Sequence, residues 1–264
     1  MADAAIELRP TIDREWLERA AESDPVAHAY ALWDLEHAPE RIRIVSAVAG
    51  GTTVGYLLIW LGHPAAPVVH WVGSDPRLEP LVGRLPPRPL IAIVPEEFAA
   101  SVRAARGPAT AYPVLVLRAA RGASGGSVPE RAVRRLRADD VGRLAEFVAR
   151  QPPGGVEEYR SLDPSREEIW GAFAEERLVG VARAAVRRPE LWVLGGVYVE
   201  EAARGAGWGR SLVATALAAA DRAGADVALF VREDRTPARL LYESLGFRPV
   251  GRRVWLEAGS GIAP

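Results

Sequence analysis

Apolar side chains at Ile12, Trp16, Leu17 and Ala20 recur at helical spacing and predict a helix over residues 11–21. Asp24-Pro25 follows, a capping residue and a proline whose fixed φ suits the first helical position, and predicts a second helix as far as Leu35. The period then shortens to two. IRIVSAVAGGTTVGYLLIW, residues 42–60, reads as two strands around Gly50-Gly51, a hairpin signal. PVVHWV and PLIAIV read as short buried strands, PEEFAASVRAARG as a helix stopped by glycine, and YPVLVLRA as a further strand.

RGASGGSVPE, residues 121–130, clusters glycine and serine between two strand-like runs and reads as a flexible connector. Beyond it the order of elements returns: a strand from Arg131 to Leu136, a helix from Asp139 to Arg150, a Pro/Gly turn, a helix near Pro164 to Glu168, then WGAFAEERLVGVARAAV as a hairpin. LWVLGGVYV reads as a strand, GWGRSLVATALAAADRAG as a helix, ADVALFVR as a strand, PARLLYESLG as a helix and RPVGRRVWLEA as the last strand. The two halves read as variants of one α/β unit, with boundaries at 1–121, a linker at 122–129 and 130–264. They differ at one place. The second half carries RGAGWGR before its long helix; the first carries GSDPRLEPLVGR, residues 73–84, where two prolines interrupt any run of backbone donors.

Composition narrows the function classes. With 264 residues, 49% of them hydrophobic and 25% charged, the chain suits two globular domains. A net charge of −1 leaves no global basic field for nucleic acid or an anionic membrane. The locally basic RAVRRLR, residues 131–137, puts arginines on both faces of a strand and has no aromatic platform beside it. Without cysteine there are no disulfides or thiolate sites, and neither His28 with His37 nor His63 with His70 has the spacing of a metal pair, so no metal is expected. All 33 basic residues are arginine, so no lysine forms a Schiff base or serves a P-loop. The most apolar run, Val54 to Leu61, is too short to span a bilayer, and no signal peptide is visible; the expected setting is the cytoplasm.

The glycines of RGAGWGRSLVATALAAA, residues 204–220, stand directly before a strong helix former. A helix N-terminus leaves about four N–H groups without intrahelical partners and carries partial positive charge. Glycines there allow positive φ and let phosphate oxygens approach the main chain without meeting Cβ atoms. A Walker A loop is excluded because it needs lysine. A dinucleotide fingerprint counted from Gly205 and Gly207 would need its third glycine where Arg210 stands. What remains is R-x-x-G-x-G, with Arg204, Gly207 and Gly209, after a strand and before a helix. Downstream, the strand ADVALFVR leads into A-x-x-x-Y-x-x-x-G-F, with Ala238, Tyr242, Gly246 and Phe247.

Together, in this order and context, these two motifs resemble the GNAT family of N-acetyltransferases, over about Arg131 to Ala258; across residues 1–120 only the order of elements supports the likeness. The resemblance implies an α/β (α+β) fold of two tandem GNAT-like domains, each a mixed central sheet flanked by helices, the first degenerate. It implies acetyl-CoA as cosubstrate and transfer of acetyl to a primary amine, on a small molecule or a peptide, by direct attack in a ternary complex. The alternative is a catalytically silent acyl-CoA-binding sensor or structural protein of the same fold. By the same resemblance the cosubstrate would touch Val197, Tyr198, Val199, Arg204, Gly205, Ala206, Gly207, Trp208, Gly209, Arg210, Ser211, Arg235 and Tyr242. Tyr242 would face the thioester sulfur, and a backbone N–H from residues 197–199 would meet its carbonyl, with Gly195-Gly196 permitting the distortion. Arg235 stands where the family commonly has asparagine.

An ammonium must lose a proton before it attacks, so a base is needed. All four histidines lie in the first half, which leaves carboxylates. Glu200 ranks first and Glu201 beside it, with Glu190, Glu157 and Glu158 open; each taken singly reads more readily as a solvated surface acid than as the base. Glu157, Glu158, Asp163, Glu167 and Glu168 form an acidic cluster that hints at a cationic acceptor and reads as well as a solvated acidic face. Trp170 and Trp192 read as core before they read as walls of an acceptor channel.

Overall fold

A computed structural model of the chain describes residues 5–123, 132–152 and 156–259. Most of the expected linker, residues 124–129, lies outside them. Two compact units are present: one runs to Val114 and takes the chain back from Arg252, and the other runs from Leu115 to Gly251.

The first unit opens with a strand that the apolar pattern does not announce, β1 (Ile6–Arg9). Helices α1 (Arg14–Ser23) and α2 (Pro25–His37) follow, capped by Asp13 and Asp24, whose carboxylates accept from the N–H groups of Trp16 and Ala27 at 3.2 and 3.0 Å. Strands β2 (Ile42–Ala49) and β3 (Thr52–Trp60) form the hairpin around Gly50 and Gly51, both at positive φ. Then come β4 (Val68–Val72), a 3₁₀ helix over Pro76–Arg84, β5 (Leu90–Val94), α3 (Ala99–Arg106) and β6 (Thr110–Ala119). One face of the sheet buries Leu57, Val69, Trp71, Leu78 and Leu90; the other buries Leu17, Leu32, Tyr56 and Leu58 with α1 and α2.

The second unit repeats the order with β7 (Val133–Arg135), α4 (Val141–Arg150), β8 (Glu168–Ala174), β9 (Arg177–Arg187), β10 (Leu191–Val199), α5 (Trp208–Arg222), β11 (Asp226–Arg232), α6 (Thr236–Ser244) and β12 (Arg248–Ala258). The sheet is mixed: β8, β9 and β10 are antiparallel neighbours, whereas β10 and β11 run parallel across the α5 crossover. Leu212, Val213, Ala216 and Ala220 of α5 close one face over Ala172, Ala182 and Leu194. Leu144, Phe147 and Val148 of α4 close the other over Ile169 and Val181. Each unit takes its last strand from the other half of the sequence: Val254 to Ala258 of β12 pair with Val94 to Leu90 of β5, and β6 lies beside β11.

The helix expected near Pro164 to Glu168 is not formed. A 3₁₀ turn sits earlier, at Glu157–Ser161, and β8 begins at Glu168. Between them Asp163 closes a local turn, accepting from the Ser165 N–H and hydroxyl at 2.9 and 2.7 Å; short polar side chains of this kind compete with helix hydrogen bonding. Two arginines of RAVRRLR are engaged in ion pairs: Arg134 forks onto Asp140 at 2.7 and 2.8 Å, and Arg135 reaches Glu168 at 3.2 Å.

Candidate active site

Strand β10 changes partners along its length. Its parallel register with β11 runs from Leu191↔Asp226 to Leu194↔Leu229 and stops there, although both strands continue. Its antiparallel register with β9 goes on, through a bulge between Gly195↔Arg183 and Tyr198↔Val181. Gly196 in the bulge has φ 59°, and a Cβ there would lie 2.5 Å from Glu158 Oε1 and 2.7 Å from the Tyr159 hydroxyl. Glycine is required at this place for both reasons. The Tyr159 hydroxyl donates to the Gly196 carbonyl at 2.7 Å, and Glu158 pairs with Arg183 at 2.9 Å. Beyond the bulge Val197 and Val199 pack toward α5, and Tyr198 packs on the α4 side against Phe147.

Helix α5 begins after the C-terminal end of this strand, past a 3₁₀ turn at Glu201–Ala203. Its N-cap is Gly207, left-handed at φ 87° and ψ 0°, and no side chain caps the helix. Gly205 also has positive φ, 78°, and a Cβ there would meet nothing within 4 Å. The exposed turn Arg204, Gly205, Ala206 leads into half-buried Gly207, Trp208, Gly209 and Arg210. Buried Ser211 bonds back to the Gly207 carbonyl from its N–H at 3.1 Å and its hydroxyl at 3.3 Å. Arg204 is tied to the Val199 carbonyl at 3.0 Å with its guanidinium 5.6 Å from the Tyr198 ring centre, and Arg210 bonds Ser244 of α6 at 2.7 Å. Gly209 lies against α6, where a Cβ would stand 3.4 Å from Leu241.

That packing brings Tyr242 and the glycine turn onto neighbouring helices. Tyr242 is 8% exposed, stands edge-on to Phe247 at 5.7 Å, and burial pushes its hydroxyl pKa up to about 12. Tyr159 is pushed well above the ordinary tyrosine value, first by burial and then by the neighbouring Glu158. Arg235 is exposed at the start of α6, its N–H on the Arg232 carbonyl at 3.1 Å.

The carboxylates separate into distinct settings. Glu200 is 6% exposed and held by Arg177 at 2.9 Å, with Arg150 at 4.0 Å. Glu201 is exposed in a 3₁₀ turn, and Glu190 pairs with Arg188 at 2.6 Å. Glu158 stands against the bulge; the side chain of Glu157 lies outside the described residues. The acidic cluster is interleaved with arginine: Glu168 takes Arg135 and Arg187 at 3.2 and 3.3 Å, and Asp163 has Arg166 at 3.7 Å. Trp170 is 2% exposed, and its ring centre lies 6.3 Å from that of Trp192 in the core under α5. Sequence reasoning missed Tyr159; the available signal was Gly195-Gly196 inside a strand, which announces a close approach without saying by what. Among the described residues no group of three or more His, Asp or Glu is arranged to hold a metal, and no helix is long and apolar enough to cross a membrane.

A splayed parallel strand pair, a bulge and a glycine-capped crossover helix define the class of fold. Residues 138–247 match the model of the acetyltransferase (GNAT) family, so the second half of the chain carries a GNAT domain, a fold that supports acyl transfer. No curated protein matches the sequence. Among solved structures, a Drosophila protein aligns at 14% identity over 97% of this chain and 99% of its own, with TM-score 0.71. A tandem GNAT protein from the clavulanic acid biosynthesis pathway aligns at 19% identity over 98% and 100%, with TM-score 0.56. A GCN5-related N-acetyltransferase from Sphaerobacter thermophilus aligns at 18% identity over 95% and 94%, with TM-score 0.61. At such identities the likeness is one of fold, and the fold is shared with tandem GNAT proteins.

Proposed function

We propose that the protein transfers an acetyl group from acetyl-CoA to a primary amine, of a small molecule or a peptide, by direct attack in a ternary complex in the cytoplasm. The observation that carries this reading is the start of α5. A left-handed glycine cap, no capping side chain and open space at Gly205 suit the close approach of a pyrophosphate to backbone N–H groups. Residues 207–210 would hold it, with Arg204 and Arg210 adding charge and Arg235 reaching a phosphate from α6. When bound, acetyl-CoA supplies a thioester whose carbonyl carbon accepts the amine lone pair and whose sulfur departs as thiolate.

The chain's own groups handle protons and charge. Glu158, against the bulge, takes the proton of the incoming ammonium directly or through water. Tyr242 keeps its proton near neutral pH, gives it to the leaving sulfur, and recovers one through water from the nitrogen of the adduct as the amide forms. The Val197 N–H stabilises the oxyanion. Glu200, buried at the end of β10 and held by Arg177 as Glu158 is by Arg183, is the alternative base. A silent acyl-CoA binder is favoured by one observation only, Arg235 at the place of the family's asparagine. Thiol release from acetyl-CoA over a panel of primary amines separates the readings: amine-dependent release supports transfer, binding without release supports the silent protein, and no binding contradicts both.

A further inference from the structure

The buried Tyr159 hydroxyl donates to the Gly196 carbonyl at 2.7 Å, and that carbonyl belongs to the same peptide unit as the Val197 N–H. A trans peptide is planar, with C=O and N–H pointing in opposite directions, so fixing one fixes the other. We propose that Tyr159 is a positioning residue for acyl transfer: by holding the Gly196 carbonyl on the α4 side it turns the Val197 N–H away from itself, toward the acyl group. This rests on the acyl-transfer reading above.

Three features make the contact a built one. Gly196 lies in a bulge, where the peptide is not held by a regular ladder to β9, and the register with β11 has already stopped at Leu194. Orientation must therefore come from elsewhere, and a bulged glycine at φ 59° is otherwise free to rotate its flanking peptides. Tyr159 itself is 2% exposed and packed with Leu144, Phe147 and Val181, so its hydroxyl is a fixed point rather than a mobile one. Burial also keeps it protonated, so it donates throughout the working pH range. The Glu158–Arg183 pair closes the other side: Glu158 Oε1 and the Tyr159 ring occupy the volume that any side chain on residue 196 would need. A donor fixed before the reaction is worth more than one that must reorient during it.

The test uses acetyl-CoA carrying ¹³C at its carbonyl, bound to the full chain, and reads the infrared carbonyl stretch. The unaltered protein lowers the frequency relative to free acetyl-CoA. Tyr159→Phe, which keeps the ring and removes the hydroxyl, returns the band most of the way to its free position while the acetyl-CoA dissociation constant stays within about threefold. Turnover with an amine found active falls by about tenfold to a hundredfold with KM for acetyl-CoA nearly unchanged, and its pH profile keeps its shape. A purely structural tyrosine would instead weaken stability or affinity and leave the band of bound ligand alone. If Tyr159→Phe does not fold, amide exchange at Val197 in the unaltered protein decides: slowing by acetyl-CoA beyond that by CoA supports the proposal, and equal exchange with both overturns it. An unshifted difference between unaltered protein and Tyr159→Phe overturns the positioning role alone; failure of the unaltered protein to bind acetyl-CoA overturns the acyl-transfer reading and this proposal with it.

Discussion

Each unit joins two parallel strands by a crossover, and the two crossovers begin in opposite ways. Between β4 and β5 the chain forms a 3₁₀ helix, Pro76–Arg84, whose N-cap Asp75 accepts from the Arg77 N–H at 2.9 Å and pairs with its guanidinium at 2.6 Å. Those contacts with Arg77 hold the Asp75 carboxyl down to about 2, so the turn carries its own permanent anion. Pro76 and Pro80 remove donors, and Leu78 fills the space beside Gly73, where a Cβ would lie 2.7 Å from its side chain. Between β10 and β11 the cap is glycine, no carboxylate is supplied, and the position of Gly205 faces open space. One crossover is completed by the chain's own side chains; the other leaves its helix start without a capping side chain. The choice is made at the cap residue and the glycine before it, within the same order of strands and helices.

The sharpest way to break this contrast is Gly207→Glu, which places a carboxylate and a β-carbon at a left-handed position in the second crossover. Acetyl-CoA affinity is expected to fall by at least about a hundredfold, read by calorimetric titration. Titration extends the contrast. All four histidines lie in the first half, and burial lowers His28 and takes His70, stacked on Tyr30 at 4.4 Å, down to about 4. Folded values below the ordinary 6.5 mean that the unfolded chain binds the extra proton, so stability is full above pH 6.5 and is lost as pH falls from 6.5 toward 4. For His70 the loss is on the order of 3 kcal/mol, and His70→Phe should flatten that limb in urea unfolding followed against pH.

Tyr242→Phe is expected to lower kcat by about tenfold to a hundredfold with little change in acetyl-CoA affinity; equal turnover would remove its role as acid. The smallest effect belongs to the first crossover. Asp75→Ala should lower the melting temperature slightly, as cap removal does, and leave acetyl-CoA affinity unchanged. A loss of affinity there would mean that the first unit takes part in binding.

The sequence made some of this legible. Period and caps give the two opening helices, the hairpin at Gly50-Gly51 and the α5 and α6 segments, because those depend on local φ and on side chains a few residues apart. The order of elements made two variants of one α/β unit readable, and the mixed sheet in each was implied by the resemblance that the two motifs carry. β1 was not, since four residues of alternating burial carry too short a period. Nor was the exchange of last strands, because a strand's hydrophobicity does not name its partner. In the candidate site the glycine turn and Tyr242 announce themselves by spacing. Tyr159 does not: it sits in an irregular turn, and its meaning comes from a carbonyl 37 residues away. The arginine that engages Glu200 is equally silent in one dimension, which is why a buried ion pair and a solvated acid read alike there.

The central claim is that the glycine turn before α5 holds the diphosphate of CoA. Melting temperature with saturating acetyl-CoA, CoA or adenosine diphosphate tests it most directly. At about a hundred times the dissociation constant a ligand adds about 2.7 kcal/mol of stability. The expected result is a clear rise with acetyl-CoA and CoA, a smaller rise with the diphosphate, and none in Gly207→Glu. No rise with any ligand in the unaltered protein would make the turn a helix cap and contradict the claim.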